Sequence, residues 1–80
     1  MRLDKYLKVS RIIKRRTVAN EVCDAERVSV NGKVARASYS VKVGDVIEIQ
    51  MGSNLLRAEV LEVSEHATKD SASSMYRILE

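Results

Sequence analysis

The apolar residues of this chain change their spacing near residue 27, and this change limits what 80 residues can fold into. Before residue 27 they recur at intervals of three and four, which places them on one face of a helix. After it, apolar and polar residues alternate, as they do in strands with one buried face. Two helices followed by four or five short, mainly antiparallel strands are therefore predicted, which is an α+β fold.

Two short helices are predicted in the N-terminal part of the chain. The first covers residues 2–8 and has apolar residues on one face and lysines on the other, so it must pack against the rest of the domain. The second covers residues 17–26, with Thr17 as its N-cap. Between them lie two adjacent isoleucines, Ile12 and Ile13, whose burial would fix this basic connection to the domain.

The strands are predicted from alternating residues and from turn signals. Asn31-Gly32 lies between alternating valines and is a strong signal for the tight turn of a β-hairpin. Three further strands are predicted at residues 46–51, 55–63 and 75–79. The polar residues 64–74 are predicted to form a loop. The glutamates of the strands alternate with apolar residues, which predicts one solvated face for the sheet.

The length and composition exclude several classes of function. A chain of 80 residues buries only a small core, so residues 1–80 are predicted to form a single domain without a large catalytic cleft. His66 has no second histidine or cysteine at metal-ligand spacing, and Cys23 lies on the apolar face of the second helix, as a buried structural thiol would. No nucleophile, base and orienting group can be combined into a catalytic site, so we predict neither an enzyme nor a cofactor.

Nothing in the sequence indicates secretion or a membrane span. The single cysteine cannot form an internal disulfide, and no charged-then-apolar signal sequence opens the chain. No apolar run approaches the roughly 18 residues that a membrane span requires. The chain is therefore predicted to be a cytoplasmic protein without a membrane partner.

The charges are distributed unevenly along the chain. Residues 1–16 contain seven basic residues and a single acid, Asp4, which gives +6, whereas the whole chain carries +3. Residues 17–80 therefore sum to −3. The natural partner for such a basic end on an acidic body is a polyanion.

Three of the basic residues, Lys14, Arg15 and Arg16, immediately precede the predicted second helix. Cations are unfavourable there, by roughly 0.3 to 1 kcal/mol each at exposed sites, because the helix dipole already presents positive charge. A bound anion would make the same arrangement favourable, since the free N–H groups of the first turn and the guanidinium groups would all bind it. Phosphate fits these donors geometrically. The residues alone leave two interpretations open, a phosphate-binding junction or a solvated basic loop.

Asp4 and Tyr6 have both structural and functional interpretations. Asp4 in the first turn of a helix is favourable to the helix dipole; alternatively, it orients Arg2 or Lys8, or contacts a protein partner. Tyr6 lies on the apolar face and is interpreted as a core residue. Because the chain has three tyrosines and no other aromatic residue, we expect a polyanionic ligand to be bound through its backbone and not by stacking of single bases.

Four motifs carry a specific resemblance to a known family by their order and separations: RLDKYLK, RRTVANEV, RVSVNGKVA and VGDVIEI. Over residues 1–49 they resemble the αL-type RNA-binding domain of small ribosomal subunit protein S-four. The resemblance implies that two helices and a β-hairpin form an L-shaped RNA-binding surface, with residues 50–80 as the C-terminal strands. Members usually have a glycine near the end of the second helix, where this chain has Ala25-Glu26, so we expect that end to differ.

Because the chain is little more than this domain, it resembles the small stand-alone RqcP (YabO) family of bacterial ribosome-associated quality control, which is related to heat-shock protein fifteen. This resemblance implies binding to the obstructed large ribosomal subunit through ribosomal RNA and peptidyl-tRNA. It also implies cooperation with an RqcH-type factor of the NEMF family in adding alanine tails to stalled nascent chains. We expect the protein to be a monomer.

Matched position by position, the resemblance assigns a set of residues to the RNA-binding surface. Arg2 and Arg16 are expected to contribute most, and the stem of Arg2 is expected to pack on the domain while its guanidinium reaches the RNA. The candidates are Arg2, Lys5, Lys8, Ser10, Arg11, Lys14, Arg15, Arg16 and Thr17 from the helical part, and Asn31 and Lys33 from the hairpin turn.

Three other functions remain as alternatives. One is the recycling of large subunits that carry nascent chains, as for the heat-shock relatives, which are longer and have a basic helical extension. Another is the RNA-binding module of an enzyme such as a pseudouridine synthase or tyrosyl-tRNA synthetase; Met1 directly at the domain is expected to be a natural N-terminus, which argues against it. The last, a plain protein-interaction domain, conflicts with the +6 segment.

Overall fold

The computed structural model describes residues 1–79 and has the predicted α+β architecture. Its helices are α1 (Leu3–Val9), α2 (Arg16–Asp24) and α3 (Lys69–Ala72), and its strands are β1 (Val28–Val30), β2 (Lys33–Val34), β3 (Val46–Met51), β4 (Asn54–Val60) and β5 (Tyr76–Leu79). Neighbouring strands are antiparallel, in the spatial order β2-β1-β3-β4-β5. No helix within residues 1–79 has the length and apolar character of a membrane span.

The core lies between one face of the sheet and the first two helices. Helix α1 buries Leu3, Tyr6 and Leu7 completely, in one cluster with Ile47 of β3. The Tyr6 hydroxyl donates a hydrogen bond of 2.7 Å to the backbone carbonyl oxygen of Met75. The interpretation of Tyr6 as a core residue is thus confirmed, and this side chain joins α1 to the segment before β5.

The connection between α1 and α2 is fixed to the core as predicted. Ile13 is buried and Ile12 is partly buried against the same cluster. Arg11 ends α1 in the left-handed region, with φ 64°, and its N–H donates to the carbonyl oxygen of Lys8 at 3.0 Å. The basic segment is therefore a defined turn on the surface of the domain.

The N-cap of helix α2 lies two residues earlier than the sequence predicts. Its N-cap is Arg15, in extended conformation, and Thr17 is the second residue of the helix, so the prediction of Thr17 as N-cap is wrong. An N-cap threonine contributes typically about 1 kcal/mol. Ala19 and Cys23 lie one turn apart and are both buried against the core, so this face of α2 packs as the predicted helix would.

Helix α2 ends in the geometry that a glycine would usually provide. Glu26 has φ 60°, the N–H of Arg27 donates to the carbonyl oxygen of Val22, and the N–H of Glu26 donates to that of Cys23, both at 3.0 Å. These two bonds form a complete Schellman motif. The expectation of a different helix end is therefore wrong, and Glu26 adopts a conformation that is sterically costly for a residue with a Cβ atom.

Replacing Glu26 by glycine is expected to raise the free energy of unfolding by about 0.5 to 1 kcal/mol. The left-handed conformation costs a non-glycine residue roughly 1–2 kcal/mol, and the greater freedom of glycine in the unfolded chain offsets part of this gain. Urea denaturation followed by circular dichroism measures the change. Glu21→Gly, inside α2, is the matched control and should lower stability by about 1 kcal/mol; a decrease for Glu26→Gly would contradict the prediction.

Residues 69–72 form helix α3, where the sequence predicted only a loop. A capping box starts it: the Thr68 hydroxyl accepts from the N–H of Ser71, and the Ser71 hydroxyl accepts from the N–H of Thr68. Ala72 packs inside the domain. Four residues are too few to show helical spacing of apolar residues, and the box has serine in place of the usual glutamate or glutamine, so neither sequence signal was present.

The outer face of the sheet carries paired charges. Arg57 lies 3.6 Å from Glu48 across β3 and β4, and Arg77 pairs with Glu59 across β4 and β5. Such exposed pairs contribute little to stability. They confirm the predicted solvated face, and they leave this face close to neutral.

Candidate nucleic-acid interface

Arg2 and Arg16 come together where α1 and α2 meet, on either side of the carboxylate of Asp4. The Nε atom of Arg2 lies 3.1 Å from Oδ1 of Asp4, and the Nε atom of Arg16 lies 3.5 Å from Oδ2. The two arginine side chains are 51% and 50% exposed, whereas that of Asp4 is 3% exposed. In this Arg2/Asp4/Arg16 cluster, the buried carboxylate of Asp4 therefore orients both guanidinium groups. Their other N–H groups remain available on the solvent side.

Asp4 is ionised within this cluster although it is buried. Its carboxylate also accepts hydrogen bonds from the backbone N–H of Lys5 at 2.8 Å and from the side-chain amide of Asn20 at 3.4 Å. Burial by itself raises the pKa of Asp4, but the hydrogen bonds from Arg2, Asn20 and Lys5 and the charge of Arg16 outweigh it and hold this pKa below its ordinary value. At neutral pH a negative charge is thus fixed beneath the two arginines.

The structure distinguishes among the interpretations of Asp4. Its carboxylate orients Arg2, as one interpretation held, and it also orients Arg16, which the sequence did not indicate. Within residues 1–79 it forms no ion pair with Lys8. Its burial is incompatible with direct contact to a protein partner.

The first turn of α2 is open to an anion. Among residues 1–79, no side chain caps this turn, and the turn itself contains no acidic residue. Lys14, Arg15 and Thr17 are exposed beside it. An anion at this turn would be attracted by the positive end of the helix dipole, by the free N–H groups and by these cations. The arrangement therefore favours a phosphate there.

The other cations of the helical part lie toward α3. Lys5 contacts the carboxylate of Glu65 at 3.4 Å. Lys8 and Arg11 are exposed and, within residues 1–79, form no ion pair. They line a cleft of about 360 Å³ with residues 65–68 and Ser71. Only part of the predicted basic surface therefore gathers around Asp4.

Two predicted candidates, Ser10 and Asn31, use their side chains in hydrogen bonds to other residues of the domain. Ser10 is buried, and its hydroxyl donates to the carbonyl oxygen of Leu7 at 3.3 Å. The Asn31 amide donates to Asp45 at 3.0 Å, and its carbonyl oxygen accepts the N–H of Val46 at 2.9 Å. Ser10 therefore shapes the surface from inside the domain, whereas the two hairpin candidates, Asn31 and Lys33, are both exposed.

A second buried carboxylate, Asp45, fixes the hairpin turn to the following loop. It accepts hydrogen bonds from Asn31, from the hydroxyl of Tyr39 and from the backbone N–H of Lys42, each at 3.0 Å. Burial raises the pKa of Asp45, but the hydrogen bonds from Lys42, Asn31 and Tyr39 and the charge of Lys42 outweigh it, so this pKa is lowered. Asp45 therefore holds the hairpin, and with it Lys33, in one orientation.

Arg36 is not among the residues predicted from the sequence, and it lines a groove of about 660 Å³ together with Arg2. The exposed residues Val34, Arg36 and Ser38 alternate with buried alanines on one edge of this groove, and Asn20 lines it as well. A signal was present, because residues 27–42 carry four basic residues and no acid. Asp24 and Glu26 also line this groove, so the charges of its lining residues sum to zero.

Cys23 lies on the wall of the same groove but is buried. Burial, with smaller contributions from the charges of Asp4 and Asp24, raises the pKa of Cys23 to about 11. The thiol is thus protonated and unreactive at neutral pH, which confirms its interpretation as a structural residue.

A basic corner of two helices on a small antiparallel sheet defines a small nucleic-acid-binding domain. The S4 domain family matches residues 1–47, which is more than half of the chain. The chain belongs to the S4 domain family. This confirms the resemblance predicted from the four sequence motifs.

The chain is similar to proteins named RQC P-site tRNA stabilizing factor. It is 56% identical to the protein of that name from Streptococcus pneumoniae over 79 residues, which cover 99% of this chain and 90% of the relative. It is 50% identical to that of Bacillus subtilis over 80 residues, which cover 100% of this chain and 93% of the relative. The trimeric structure of Vibrio cholerae heat shock protein 15 superimposes with a TM-score of 0.90 at 29% identity, covering 99% of this chain and 81% of that one.

Proposed function

We propose that this protein is an RNA-binding factor of bacterial ribosome-associated quality control. In this proposal it binds the obstructed large ribosomal subunit and the peptidyl-tRNA of the stalled chain, in the cytoplasm, and acts by binding without catalysing a reaction. The observation that carries the proposal is the Arg2/Asp4/Arg16 cluster beside the open first turn of α2. Full-length similarity to proteins named for stabilising P-site tRNA supports it.

The mechanism is the electrostatic capture of RNA phosphates on a preformed surface. Arg2 and Arg16 have N–H groups left over after contacting Asp4, and a phosphate placed between them also meets the first turn of α2. Lys33 and Arg36 extend the surface along the hairpin. By analogy with duplex DNA, about six phosphate contacts give a slope of log affinity against log salt near −5.

We further propose that the protein works with an RqcH-type factor that adds alanine tails to the stalled chain. The ion pairs on the outer face of the sheet leave a nearly neutral surface there, whereas the proposed RNA-binding corner is positively charged. Such a face suits contact with a protein or with solvent. The proposed active form is a monomer of residues 1–80 acting as one RNA-binding domain, and the molar mass in solution tests that form.

Sedimentation of the tagged protein from a bacterial lysate tests this function. At low salt the protein is expected to migrate with large subunits that retain peptidyl-tRNA, and at high salt it is expected to move to the top of the gradient. Migration with subunits that lack peptidyl-tRNA, or free protein at low salt, would contradict the proposal.

A second readout separates quality control from the recycling of nascent-chain-carrying subunits, which the structural likeness to heat shock protein 15 favours as the alternative. Deleting the gene is expected to abolish alanine tails on a reporter chain that stalls in translation. Unchanged alanine tails together with accumulated peptidyl-tRNA subunits would favour recycling.

A further inference from the structure

We propose that Tyr39, anchored by Asp45, is a positioning residue for RNA binding, which acts through Arg2 and does not contact the RNA itself. Its hydroxyl fixes residues 37–41, the segment against which the backbone of Arg2 lies. The effect on RNA affinity rests on the proposed function, whereas the effect on the Arg2 side chain can be measured without RNA.

Residues 37–41 cap the start of helix α1 with their backbone. The N-cap side chain of this helix makes no capping hydrogen bond. Instead, the N–H of Leu3 donates to the carbonyl oxygen of Tyr39 at 2.8 Å, and the N–H of Asp4 donates to that of Ala37 at 3.2 Å. Because the free N–H groups of a first helical turn need acceptors, the start of α1 follows the position of this segment.

The backbone of Arg2 is held by the same segment. Arg2 and Ser40 form an antiparallel β-bridge. Beside it, the N–H of Val41 donates to the carbonyl oxygen of Met1 at 2.8 Å. The guanidinium end of Arg2 is held by Asp4, whose own backbone N–H is bound to this segment. Both ends of the Arg2 side chain therefore depend on where the segment lies.

A buried carboxylate connects this segment to the sheet. Residues 37–41 lie between β2 and β3 and belong to neither strand. The hydroxyl of Tyr39 donates to the carboxylate of Asp45 at 3.0 Å. Asp45 is 8% exposed, and its backbone carbonyl oxygen accepts the N–H of Val60, in β4, at 2.8 Å. The side chain of Tyr39 thus joins the cap of α1 to the sheet.

The variant Tyr39→Phe removes this connection at a single bond and leaves the hairpin in place. The Asn31 amide still donates to Asp45, so Lys33 keeps its orientation. Phenylalanine retains the ring, which is partly buried against the core. The expected consequence is greater freedom of the segment, and with it of Arg2, in a domain that stays folded.

Nitrogen relaxation of the Arg2 side chain, measured by nuclear magnetic resonance on the free protein, tests the inference without RNA. The bond to Asp4 should restrict the Nε–H group of Arg2 in the wild type. In Tyr39→Phe its order parameter is expected to fall by about 0.2, on a scale where rigid groups lie near about 0.85 and flexible ones below about 0.6. An order parameter equal to that of the wild type would overturn the inference.

Tyr76→Phe is the matched control for this measurement. It also removes a tyrosine hydroxyl, but one that forms no hydrogen bond within residues 1–79, where the hydroxyls of Tyr6 and Tyr39 do. It should leave the order parameter of Arg2 and the affinity for RNA unchanged.

Fluorescence anisotropy with a labelled RNA stem-loop tests the effect on binding. Tyr39→Phe should lower the affinity about threefold and leave the slope of log affinity against log salt unchanged, because no phosphate contact is lost. In an Arg2→Ala background the same substitution should change the affinity less than about 1.3-fold, since it acts through Arg2. In a Lys33→Ala background it should still lower the affinity about threefold.

The outcomes separate this inference from the proposed function. An equal loss in the wild-type and Arg2→Ala backgrounds would mean that Tyr39 acts on the domain as a whole, and the inference would fail. The loss of affinity in Arg2→Ala itself would then still support the proposed function. If the wild type does not bind the stem-loop, the proposed function fails, and the order parameter of Arg2 alone decides the role of Tyr39.

Discussion

Replacing Arg2 and Arg16 together by alanine is expected to lower the affinity of the protein for RNA about 100-fold at low salt. Each arginine offers charge-assisted hydrogen bonds to a phosphate, and a loss of about 1.4 kcal/mol for each corresponds to about tenfold in affinity. Losing two phosphate contacts should also reduce the magnitude of the salt slope by about 2. Fluorescence anisotropy of a labelled RNA stem-loop at several salt concentrations measures both quantities.

The outer face of the sheet provides a control with the same change in net charge. Arg57 and Arg77 are exposed but contact Glu48 and Glu59, so Arg57→Ala/Arg77→Ala removes two cations outside the proposed surface. This variant should lower the affinity less than threefold, through long-range electrostatics alone. Equal losses in the two double variants would mean that net charge, and not the cluster of α1 and α2, determines binding.

The variant Asp4→Asn separates orientation from charge by the sign of its effect. It makes the protein more positive by one unit, so long-range attraction alone would strengthen the binding of RNA. We expect the affinity to fall about fivefold instead, because an amide no longer holds two guanidinium groups, and a bond to a charged group contributes about 1.5–3 kcal/mol. Glu21→Gln, which neutralises an exposed acid of α2, should bind slightly more tightly; a gain for Asp4→Asn as well would contradict the orienting role.

The features that follow from local patterns were predictable from the sequence. Alternation of apolar residues and the Asn31-Gly32 turn identified β1, β2 and β3, since a buried sheet face imposes a period of two. The length of α1 was also informative, because so short a helix is stable only when it packs against the rest of the domain. The burial of Tyr6 confirms this packing. The resemblance to the S4 domain depended on four such local motifs in the correct order. Because members of a family share a fold, the resemblance also predicted the fold.

The features that depend on tertiary contacts were not predictable in this way. Asp4 lies twelve positions before Arg16, and no periodicity in the sequence indicates that the crossing of α1 and α2 brings them to 3.5 Å. Local capping preference favours Thr17 as the N-cap of α2, whereas Arg15 occupies that position in the folded chain. Arg36 lies outside the most basic segment, residues 1–16, so the distribution of charge along the chain does not distinguish it. The residues of the site can thus be recognised from local sequence, but their arrangement depends on tertiary packing.

Replacing Asp45 by alanine is expected to lower the free energy of unfolding by about 3 kcal/mol at pH 7. The change leaves three donors without their acceptor, those of Asn31, Tyr39 and the backbone of Lys42. Each bond to a charged group contributes about 1.5–3 kcal/mol in a buried position, and access of water to this loop reduces the total. Tyr39→Phe removes one of the donors and keeps the carboxylate, so it should cost about 1 kcal/mol. Urea denaturation at pH 7 measures both variants, and a loss for Asp45→Ala no larger than that for Tyr39→Phe would contradict a shared acceptor.

The effect of Asp45→Ala should also depend on pH in one direction. Because the pKa of Asp45 is lowered in the folded protein, the stabilisation by its carboxylate is fully present above the ordinary aspartate value of about 3.9 and is lost as the pH falls through the folded value. The difference in unfolding free energy between wild type and Asp45→Ala should therefore be constant from pH 7 to about 5 and shrink below pH 4. Asp4 continues to respond to acid in the variant, since its pKa is lowered by different partners. A difference that stays constant down to pH 2.5 would show that Asp45 acts by shape alone, and the hairpin that carries Lys33 would then be held by packing and not by the ionised carboxylate.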